Sequence, residues 1–264
     1  MSTIQAYTTA TRPSAVGNTG LTIFNTTSKN INVSDGTNWR AYISDGVPLG
    51  ANGYSLDLDG TDDRVELGNI SSLNSTSAFS ISFWVKVSSS APTPTQFYQS
   101  GSDTFYNSIS FYQGSGLDFL IGKGGSAYAG ARYSGSIKDD TWHHLAGVYN
   151  GSTLTIYLDG SVPSQSNIGT SVPSSTVSTG GNNAHIGSRT DNSTELEGKM
   201  DDFSIFNAAL TATEVSNIKN NAIYPTDKLI HQYRFENNYN DSIGSVNGSV
   251  QGNPTFDSSD KPPY

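Results

Sequence analysis

The chain has 264 residues, 14% of them charged, and a formal net charge of −9, which argues against the basic surface that binding to nucleic-acid phosphates requires. Its 27 glycines, together with abundant serine, threonine and asparagine, disfavour long helices and favour short strands joined by tight turns. The chain has no cysteine, which excludes disulfides and thiolate metal sites, and no apolar run is long enough to span a membrane, so we expect neither a nucleic-acid nor a membrane partner.

The N-terminal residues predict an arm followed by a small β module. Residues 1–12 are polar and without periodicity, as in a segment that only a partner orders. Residues 13–47 alternate in short apolar runs with a turn dipeptide at 35–36, which indicates a small β-hairpin unit. This unit is too short to bury a core alone, so we expect it to pack on the main domain or on other copies of itself.

Residues 48–222 form the main body of the chain. Alternating apolar residues separated by turn signals are spaced there as in a sandwich or barrel. The predicted strands are 54–58, 64–67, 78–87, 105–112, 117–122, 142–149, 153–158, 184–187 and 199–206. In the third of these, the alternation predicts that Phe79, Ile81, Phe83 and Val85 share one face.

One short helix and further C-terminal strands are predicted after this body. Thr211 and Glu214 have the spacing of a capping box, and Leu210 and Val215 flank it as a hydrophobic staple. This pattern predicts a short surface helix. Residues 223–264 predict two more strands with turns rich in asparagine and glycine, too small to fold alone.

The adjacent histidines His143 and His144 raise the question of a metal or acid/base site. They lie in a strand that precedes the Asn150-Gly151 turn of a predicted hairpin. Neighbouring residues of a strand point to opposite faces, so the two imidazoles cannot bind one ion together. We therefore predict that His144 is a packed, hydrogen-bonded strand residue and that His143 lies near the surface.

Four motifs in order resemble the laminin-G-like, or concanavalin-A-like, jelly-roll family. They are YSLDLDGTDDRVEL (54–67), FSISFWVKV (79–87), WHHLAGVYNGSTLTIYLDG (142–160) and IGSRTDNSTELEGKMDDFSIFNAALTATEVSNI (186–218). The resemblance covers roughly residues 50–220 and implies an all-β, two-sheet antiparallel sandwich. A segment at 229–256 resembles the strand that usually opens this domain. It either completes the sandwich, which we favour because the unpaired edge in the same molecule is the nearest partner, or pairs with a neighbouring subunit.

Both ends of the chain resemble bacteriophage virion proteins. The stretch ATRPSAVGNTGLTIFNTTSKNINVSDGTNWRAY (10–42) is similar to a β module of tailed-phage fibre and virion proteins, and residues 225–264 are similar to the end of jelly-roll virion proteins of marine phages. The resemblance implies a non-enzymatic capsid decoration or cement protein on the capsid surface. Its partners would be the major capsid protein or other virion proteins and sister subunits, in a homo-oligomer such as a trimer. The alternative is a tail-fibre receptor-binding or lectin-like module that binds host-surface glycans.

Glu195 and Glu197 are the nearest analogue of the paired carboxylates of glucanases. They lack the Glu-x-Asp-x-Glu arrangement, so a solvated turn is the preferred interpretation and no catalytic residue is assigned. Five tyrosines in the glycine-rich middle of the chain are candidates for glycan contact or for ordinary packing, and the sequence does not separate these roles. They are Tyr98, Tyr106, Tyr112, Tyr128 and Tyr133.

Calcium is the one cofactor that the family resemblance implies. It places a structural ion between the acidic start of the last strand and the early Asp-Gly turn, with Asp201 as the first expected ligand and Asp59 as the second. In the alternative interpretation, these acids cap turns and accept hydrogen bonds from backbone N–H groups.

Overall fold

A computed structural model of the protein describes residues 5–8, 11, 13–14, 16–17, 21–25, 30–34, 39–42, 53–102, 104–176 and 183–263. These residues form an all-β fold with one α-helix, which confirms the fold class predicted from the sequence. Among them, no helix combines the length and the apolar character that crossing a bilayer requires.

A small sheet forms near the N-terminus. Its strands are β1 (Gln5–Tyr7), β2 (Thr22–Asn25), β3 (Asn30–Ser34) and β4 (Trp39–Tyr42). They follow the order β1-β2-β3-β4, with β1 parallel to β2 and the other pairs antiparallel. Residues 5–7 of the predicted arm are thus a strand. The rest of the arm at 1–4, 9–10 and 12, and the end of the predicted module at 43–47, lie outside the described residues.

The sandwich is built from the strands that follow. They are β5 (Ser55–Asp59), β6 (Arg64–Gly68), β7 (Phe79–Val87), β8 (Thr95–Gly101), β9 (Ser108–Gln113), β10 (Leu117–Gly122), β11 (Tyr128–Tyr133), β12 (Trp142–Tyr149), β13 (Leu154–Leu158), β14 (Gln165–Gly169), β15 (Ala184–Ile186), β16 (Glu197–Phe206), β17 (Leu229–Tyr233), β18 (Ser249–Gln251) and β19 (Thr255–Asp257). Helix α1 (Ala212–Asn221) follows β16, and short 3-10 turns lie at Ser71–Leu73 and Phe105–Asn107.

Two antiparallel sheets enclose the core. Within the described residues, the eight-stranded sheet has the order β14-β11-β10-β9-β8-β15-β6-β18. The seven-stranded sheet has the order β13-β12-β7-β16-β5-β19, and β17 also pairs with β16, beyond the end of β5. This arrangement confirms the two-sheet sandwich that the sequence predicts.

The core lies between the sheets and is rich in aromatic rings. The side chains of Phe79, Ile81, Phe83 and Val85 are all buried in it, as the alternation along β7 predicts. Phe83 meets Phe111 of the opposite sheet with ring centroids 5.3 Å apart in an edge-on arrangement. Such contacts between aromatic rings add to the stabilisation that burial alone provides.

Helix α1 covers the outer face of the seven-stranded sheet. Val215 and Ile218 are buried against Val148 and Phe206, which point away from the core. The helix begins with the predicted capping box: the Thr211 Oγ1 accepts a hydrogen bond from the Glu214 backbone N–H at 3.2 Å, and a Glu214 carboxylate oxygen accepts one from the Thr211 N–H at 2.7 Å. The sheet is therefore buried on both faces where the helix lies.

In the main body, three strands were not predicted and one begins later than predicted, and the C-terminal segment forms three strands where two were predicted. The sequence of β8 is largely polar, yet all of its residues are buried. The side chains of Gln96 and Gln99 can be buried because they form hydrogen bonds with the neighbouring strand. β11 and the exposed edge strand β14 were missed as well. The strand predicted at 105–112 begins only at Ser108, since residues 105–107 form a 3-10 turn.

The C-terminal strands pair within the chain. β17 pairs with β16, β18 with β6 and β19 with β5, all antiparallel. The C-terminal segment thus adds strands to both sheets, which is the favoured one of the two arrangements considered from the sequence.

Candidate ligand-binding surfaces

Aromatic side chains gather on the outer face of the eight-stranded sheet. Phe105 and Tyr112 stack with ring centroids 5.3 Å apart and an interplanar angle of 15°, and the Tyr106 ring lies 6.3 Å from that of Tyr128. Tyr106 is 36% exposed, and the other three rings are half-buried. We name the surface formed by these four rings, Arg132 and Arg189 the aromatic face.

A glycine allows two of these rings to lie against the sheet. Gly122 ends β10, and a Cβ atom at this position would lie 2.3 Å from the carbonyl oxygen of Tyr106. The same carbonyl accepts a hydrogen bond from the Gly124 N–H at 2.8 Å. Any side chain at position 122 would lift the 3-10 turn off the sheet, so Gly122 positions Phe105 and Tyr106.

A buried carboxylate fixes one arginine of the aromatic face. The Arg132 guanidinium donates to both oxygens of Asp118, at 2.6 and 2.5 Å. The Asp118 side chain is fully buried, whereas that of Arg132 is 33% exposed. The hydrogen bond to Asp118 raises the pKa of Arg132, and burial, followed by the nearby Asp118 charge, raises the pKa of the Tyr112 hydroxyl. Arg132 therefore presents a fixed, charged guanidinium beside a neutral phenol.

The second arginine is held by a turn bound to β8. The Gln99 side-chain oxygen accepts hydrogen bonds from the backbone N–H and hydroxyl of Thr190, at 2.9 and 3.1 Å. The neighbouring Arg189 lies over the Phe105 ring, with its guanidinium carbon 5.5 Å from the ring centroid, and contacts Asp191 at 3.5 Å. Gln99 thus anchors the turn that places a cation on the aromatic stack.

The five tyrosines singled out in the sequence divide between two environments. Tyr106, Tyr112 and Tyr128 belong to the aromatic face. Tyr98 is 0% exposed and lies 5.0 Å from the Phe203 ring inside the core, and Tyr133 packs against the same core.

Sequence reasoning missed Phe105, Asp118, Arg132 and Arg189. They lie on separate strands and turns and show no motif spacing. One signal was available: Asp118 interrupts the apolar strand LDFLIG (117–122), and a charge within such a strand requires a partner.

An acidic turn joins β5 to β6. Ligand atoms of Asp59, Asp62 and Asp63 lie within 4.8 Å of one another. Both oxygens of Asp63 accept backbone hydrogen bonds, from Asp59 at 3.1 Å and from Asn253 at 2.6 Å. One oxygen of Asp59 accepts from the Thr61 N–H at 2.8 Å. These carboxylates therefore hold the turn, as in the alternative interpretation of the sequence, and the other oxygens of Asp59 and Asp62 remain as donors for a hard cation.

The structure does not bring Asp201 to this turn. Asp59 is directly opposite Glu197, and Asp201 lies four residues farther along β16, about 13 Å away at a strand rise of about 3.3 Å per residue. Asp201 is 1% exposed, and its Oδ1 accepts from the Asp202 N–H at 2.8 Å. Its Oδ2 accepts no hydrogen bond from the described residues. Asp201 and Asp59 therefore cannot ligate one ion, which corrects the pairing expected from the sequence.

Asp201 instead belongs to a bulge of β16. The register between β16 and β7 shifts between Asp201 and Ser204, and Asp202 has a φ of 46°. Burial, followed by the neighbouring Asp202 charge, raises the pKa of Asp201 well above its usual range. The bulge separates the part of β16 that pairs with β5 from the part that pairs with β17.

An open cleft of about 420 Å³ lies on the seven-stranded sheet. Its walls include Lys86, Lys199 and Asp260. The Asp260 carboxylate bonds to Lys86 at 2.9 Å and to the Trp142 indole N–H at 2.8 Å, and Lys199 bonds to Asp257. Ligand pockets are mostly apolar with a few polar groups, whereas this cleft is lined by charges that bind one another. We therefore interpret these ion pairs as contacts that hold the C-terminal segment on the sheet. The aromatic face is the candidate ligand site.

The glutamates and histidines considered from the sequence have structural contacts. Glu195 lies before β16, and the Glu197 carboxylate accepts hydrogen bonds from the hydroxyls of Ser88 and Ser90, at 2.9 and 2.8 Å. His144 is 0% exposed, as predicted, and His143 lies nearer the surface, with its side chain 18% exposed. Neither pair forms a shared site.

Comparisons with known proteins agree with this fold. Residues 59–216 match the family model described as the concanavalin A-like lectin/glucanases superfamily. Among curated proteins, none matches the chain. A heptameric SAP-like pentraxin from Limulus polyphemus is 14% identical with a TM-score of 0.53, over 77% of this chain and 94% of the pentraxin.

Two further solved structures are similar. A candidate carbohydrate binding protein from Bacteroides ovatus is 16% identical with a TM-score of 0.53, over 78% of this chain and 60% of that one. The enzymatically active domain of tailspike protein 2 from bacteriophage CBA120 is 13% identical with a TM-score of 0.50, over 69% of this chain and 29% of the tailspike chain. At these identities the similarities establish the fold alone.

Proposed function

The chain belongs to the concanavalin A-like lectin/glucanases superfamily, and from this premise we propose that it is a non-catalytic module that binds carbohydrate on the aromatic face. The observation that carries the proposal is the stack of Arg189, Phe105 and Tyr112 beside the fixed guanidinium of Arg132. Flat aromatic rings contact the apolar faces of sugar rings, and a few fixed polar groups orient the hydroxyls.

The test is a glycan array probed with the full chain and with two matched variants. Phe105→Ala removes a stacked ring from the aromatic face. Phe256→Ala removes a ring that packs against Tyr239 in the C-terminal segment, with ring centroids 4.8 Å apart. We expect the first variant to lose about tenfold in affinity, as for an aromatic contact at the centre of an interface, and the second to bind like the native protein. Equal binding by both variants would refute the proposed site.

We also propose that this module works in a bacteriophage virion, as a capsid decoration or cement protein or, alternatively, in a tail fibre. The resemblance of both chain ends to virion proteins supports this role, and the small β1–β4 sheet is the candidate anchor to sister subunits or to the major capsid protein. Light scattering with and without residues 1–47 tests it. A native oligomer that becomes monomeric on truncation would support assembly through this segment, whereas a monomer in both cases would count against it.

A structural calcium at the acidic turn is the third element of the proposal. Asp59 and Asp62 would supply carboxylate oxygens, and the turn's backbone carbonyls would add others, because Ca²⁺ takes about six to eight oxygen ligands. Of the two calcium ligands expected from the sequence, this site keeps Asp59. It does not include Asp201, which lies too far along β16. A rise in melting temperature on adding calcium is the test.

A further inference from the structure

The charges of the aromatic face are matched in pairs. In the described part of the chain, each arginine on the outer face of the eight-stranded sheet contacts a carboxylate. Arg132 binds Asp118 through two hydrogen bonds, and Arg189 contacts Asp191 at 3.5 Å. At the other end of the sheet, Arg64 binds Glu66 at 3.0 Å. Each guanidinium is therefore neutralised within the protein.

The remaining basic side chains near this face are also occupied. Lys123, just after β10, donates to the Ser171 carbonyl at 2.7 Å and to the Thr170 hydroxyl at 3.1 Å. His185 on β15 is buried, and its Nδ1 lies 3.0 Å from the Arg189 carbonyl oxygen. Burial lowers the pKa of His185, so its imidazole is neutral near pH 7. Lys123 keeps its charge, but its ammonium group already donates to Thr170 and Ser171, so an acidic ligand would have to replace these hydrogen bonds to bind it.

The most buried pair places the strictest condition on the ligand. Asp118 has no exposed surface, while one third of the Arg132 side chain is open to solvent. A ligand can therefore reach the N–H groups of Arg132 that Asp118 leaves free, but it cannot displace Asp118. Oxygen atoms that accept hydrogen bonds without carrying charge, such as sugar hydroxyl and ring oxygens, fit this condition. A sulfate or carboxylate would instead approach an ion pair with no net charge, on a chain whose net charge is −9.

We infer that the aromatic face takes neutral glycans and discriminates against uronate-containing, sialylated or sulfated ones. This inference rests on the carbohydrate-binding function proposed above and adds the chemical class of the ligand. Its physical basis is that a glycan polyanion gains affinity mainly from unmatched cations and loses it as salt rises, whereas stacking and neutral hydrogen bonds depend little on salt.

The experiment compares two panels of glycans at low and high salt. The neutral panel contains cello-, manno-, xylo- and galacto-oligosaccharides, and the acidic panel contains oligogalacturonate, sialyllactose and heparin fragments. We expect the native protein to bind members of the neutral panel only, with less than a twofold change between about 50 and about 500 mM NaCl. Salt-sensitive binding to the acidic panel would overturn the inference and leave carbohydrate binding intact. Binding to neither panel would overturn the proposed function itself, and the inference with it.

Two variants test the charge matching directly. Asp118→Asn unmasks Arg132, and Asp191→Asn unmasks Arg189 at an exposed position where folding is not at risk. We expect each to gain about fivefold or more in affinity for oligogalacturonate, an effect of one charge-assisted contact that high salt removes. If both variants melt like the native protein and neither gains affinity for the acidic panel, charge matching does not determine ligand class, and the inference is refuted.

Discussion

His143 and His144 are adjacent on β12, but their imidazoles lie on opposite faces of the strand and contact different groups. The Nδ1 of His143 lies 2.8 Å from an Asp159 carboxylate oxygen, and its Nε2 lies 3.2 Å from Asp139. The Nε2 of His144 lies 2.9 Å from the hydroxyl of the buried Ser82. The hydrogen bond to Asp159 raises the pKa of His143, whereas burial lowers that of His144 to about 3. One dipeptide therefore contains a charged and a neutral imidazole at mildly acidic pH.

The His143→Gln variant should alter how stability depends on pH. A raised pKa in the folded state stabilises the protein below the unfolded value of about 6.5, and this stabilisation is lost as pH rises through the folded value. We expect His143→Gln to melt about 2 °C below the native protein at pH 5.5 and at nearly the same temperature at pH 9, as for a partly exposed ion pair. Thermal denaturation at both pH values measures the difference.

His144 acts in the opposite direction, so the comparison must be made between variants. Its depressed pKa means that the unfolded chain takes up a proton below about pH 6.5 while the folded chain does not, which lowers stability as the solution becomes acidic. This contribution is present in both the native protein and His143→Gln, and it cancels in their difference. A difference that is the same at the two pH values would show that the contacts of His143 are not ionic.

Asp201→Asn should stabilise the protein at neutral and alkaline pH. Because burial raises the folded-state pKa of Asp201, the carboxyl group lowers stability as pH rises above the unfolded value of about 3.9. Asparagine keeps an oxygen to accept the Asp202 N–H and carries no charge. We expect a gain of at least about 1 kcal/mol at pH 8 and little change at pH 4, measured by urea denaturation. A loss of stability at pH 8 that occurs only with calcium present would instead identify Asp201 as a ligand.

Calcium should raise the melting temperature of the native protein and not that of Asp62→Asn. A ligand that binds only the folded state stabilises it by about 2.7 kcal/mol at 100 times its dissociation constant. Asp62 is a suitable residue to replace because it belongs to the acidic cluster. Its side chain is exposed, so the substitution should leave the fold intact. Melting curves in EDTA and in millimolar calcium provide the measurement. Superimposable native curves in the two solutions would eliminate the metal.

Removal of the N-terminal cap of α1 should lower the stability of the protein, because this helix packs on the outer face of the seven-stranded sheet. Thr211→Ala leaves the Glu214 N–H without its acceptor, and we expect a loss of about 1 kcal/mol. Thr211→Ser keeps the hydroxyl and serves as the control. Glu214 also binds Lys228 at 2.7 Å, so Glu214→Gln should lose part of the same stabilisation. Urea denaturation at pH 7 ranks the three variants, and equal stability of the alanine and serine variants would show that the cap is not needed.

The elements that could be predicted from the sequence are those whose burial follows the strand or helix period. The alternation along β7 predicted its buried face, the bounds of β12 were predicted from its apolar run before the Asn150-Gly151 turn, and the capping residues marked the start of α1. β8 could not be found in this way, because its glutamines are buried through hydrogen bonds to chain segments remote in sequence. The aromatic face could not be predicted from the sequence for a similar reason. Phe105, Arg132 and Arg189 come together only after five strands of the sheet have paired.

The pairing of β5 and β6 with strands from the far end of the chain has a consequence for synthesis. During translation these are the first strands of the sandwich to appear, yet β5 lies between β16 and β19, and β6 between β15 and β18. About 200 residues separate the end of β5 from the end of β19, which a ribosome needs roughly 10–40 s to add. Neither strand has a native neighbour until β15 and β16 emerge, and one edge of each stays unpaired until β18 and β19 emerge, so these edges can pair with other nascent chains. Slower growth at low temperature should therefore increase soluble yield by reducing encounters between unfinished chains.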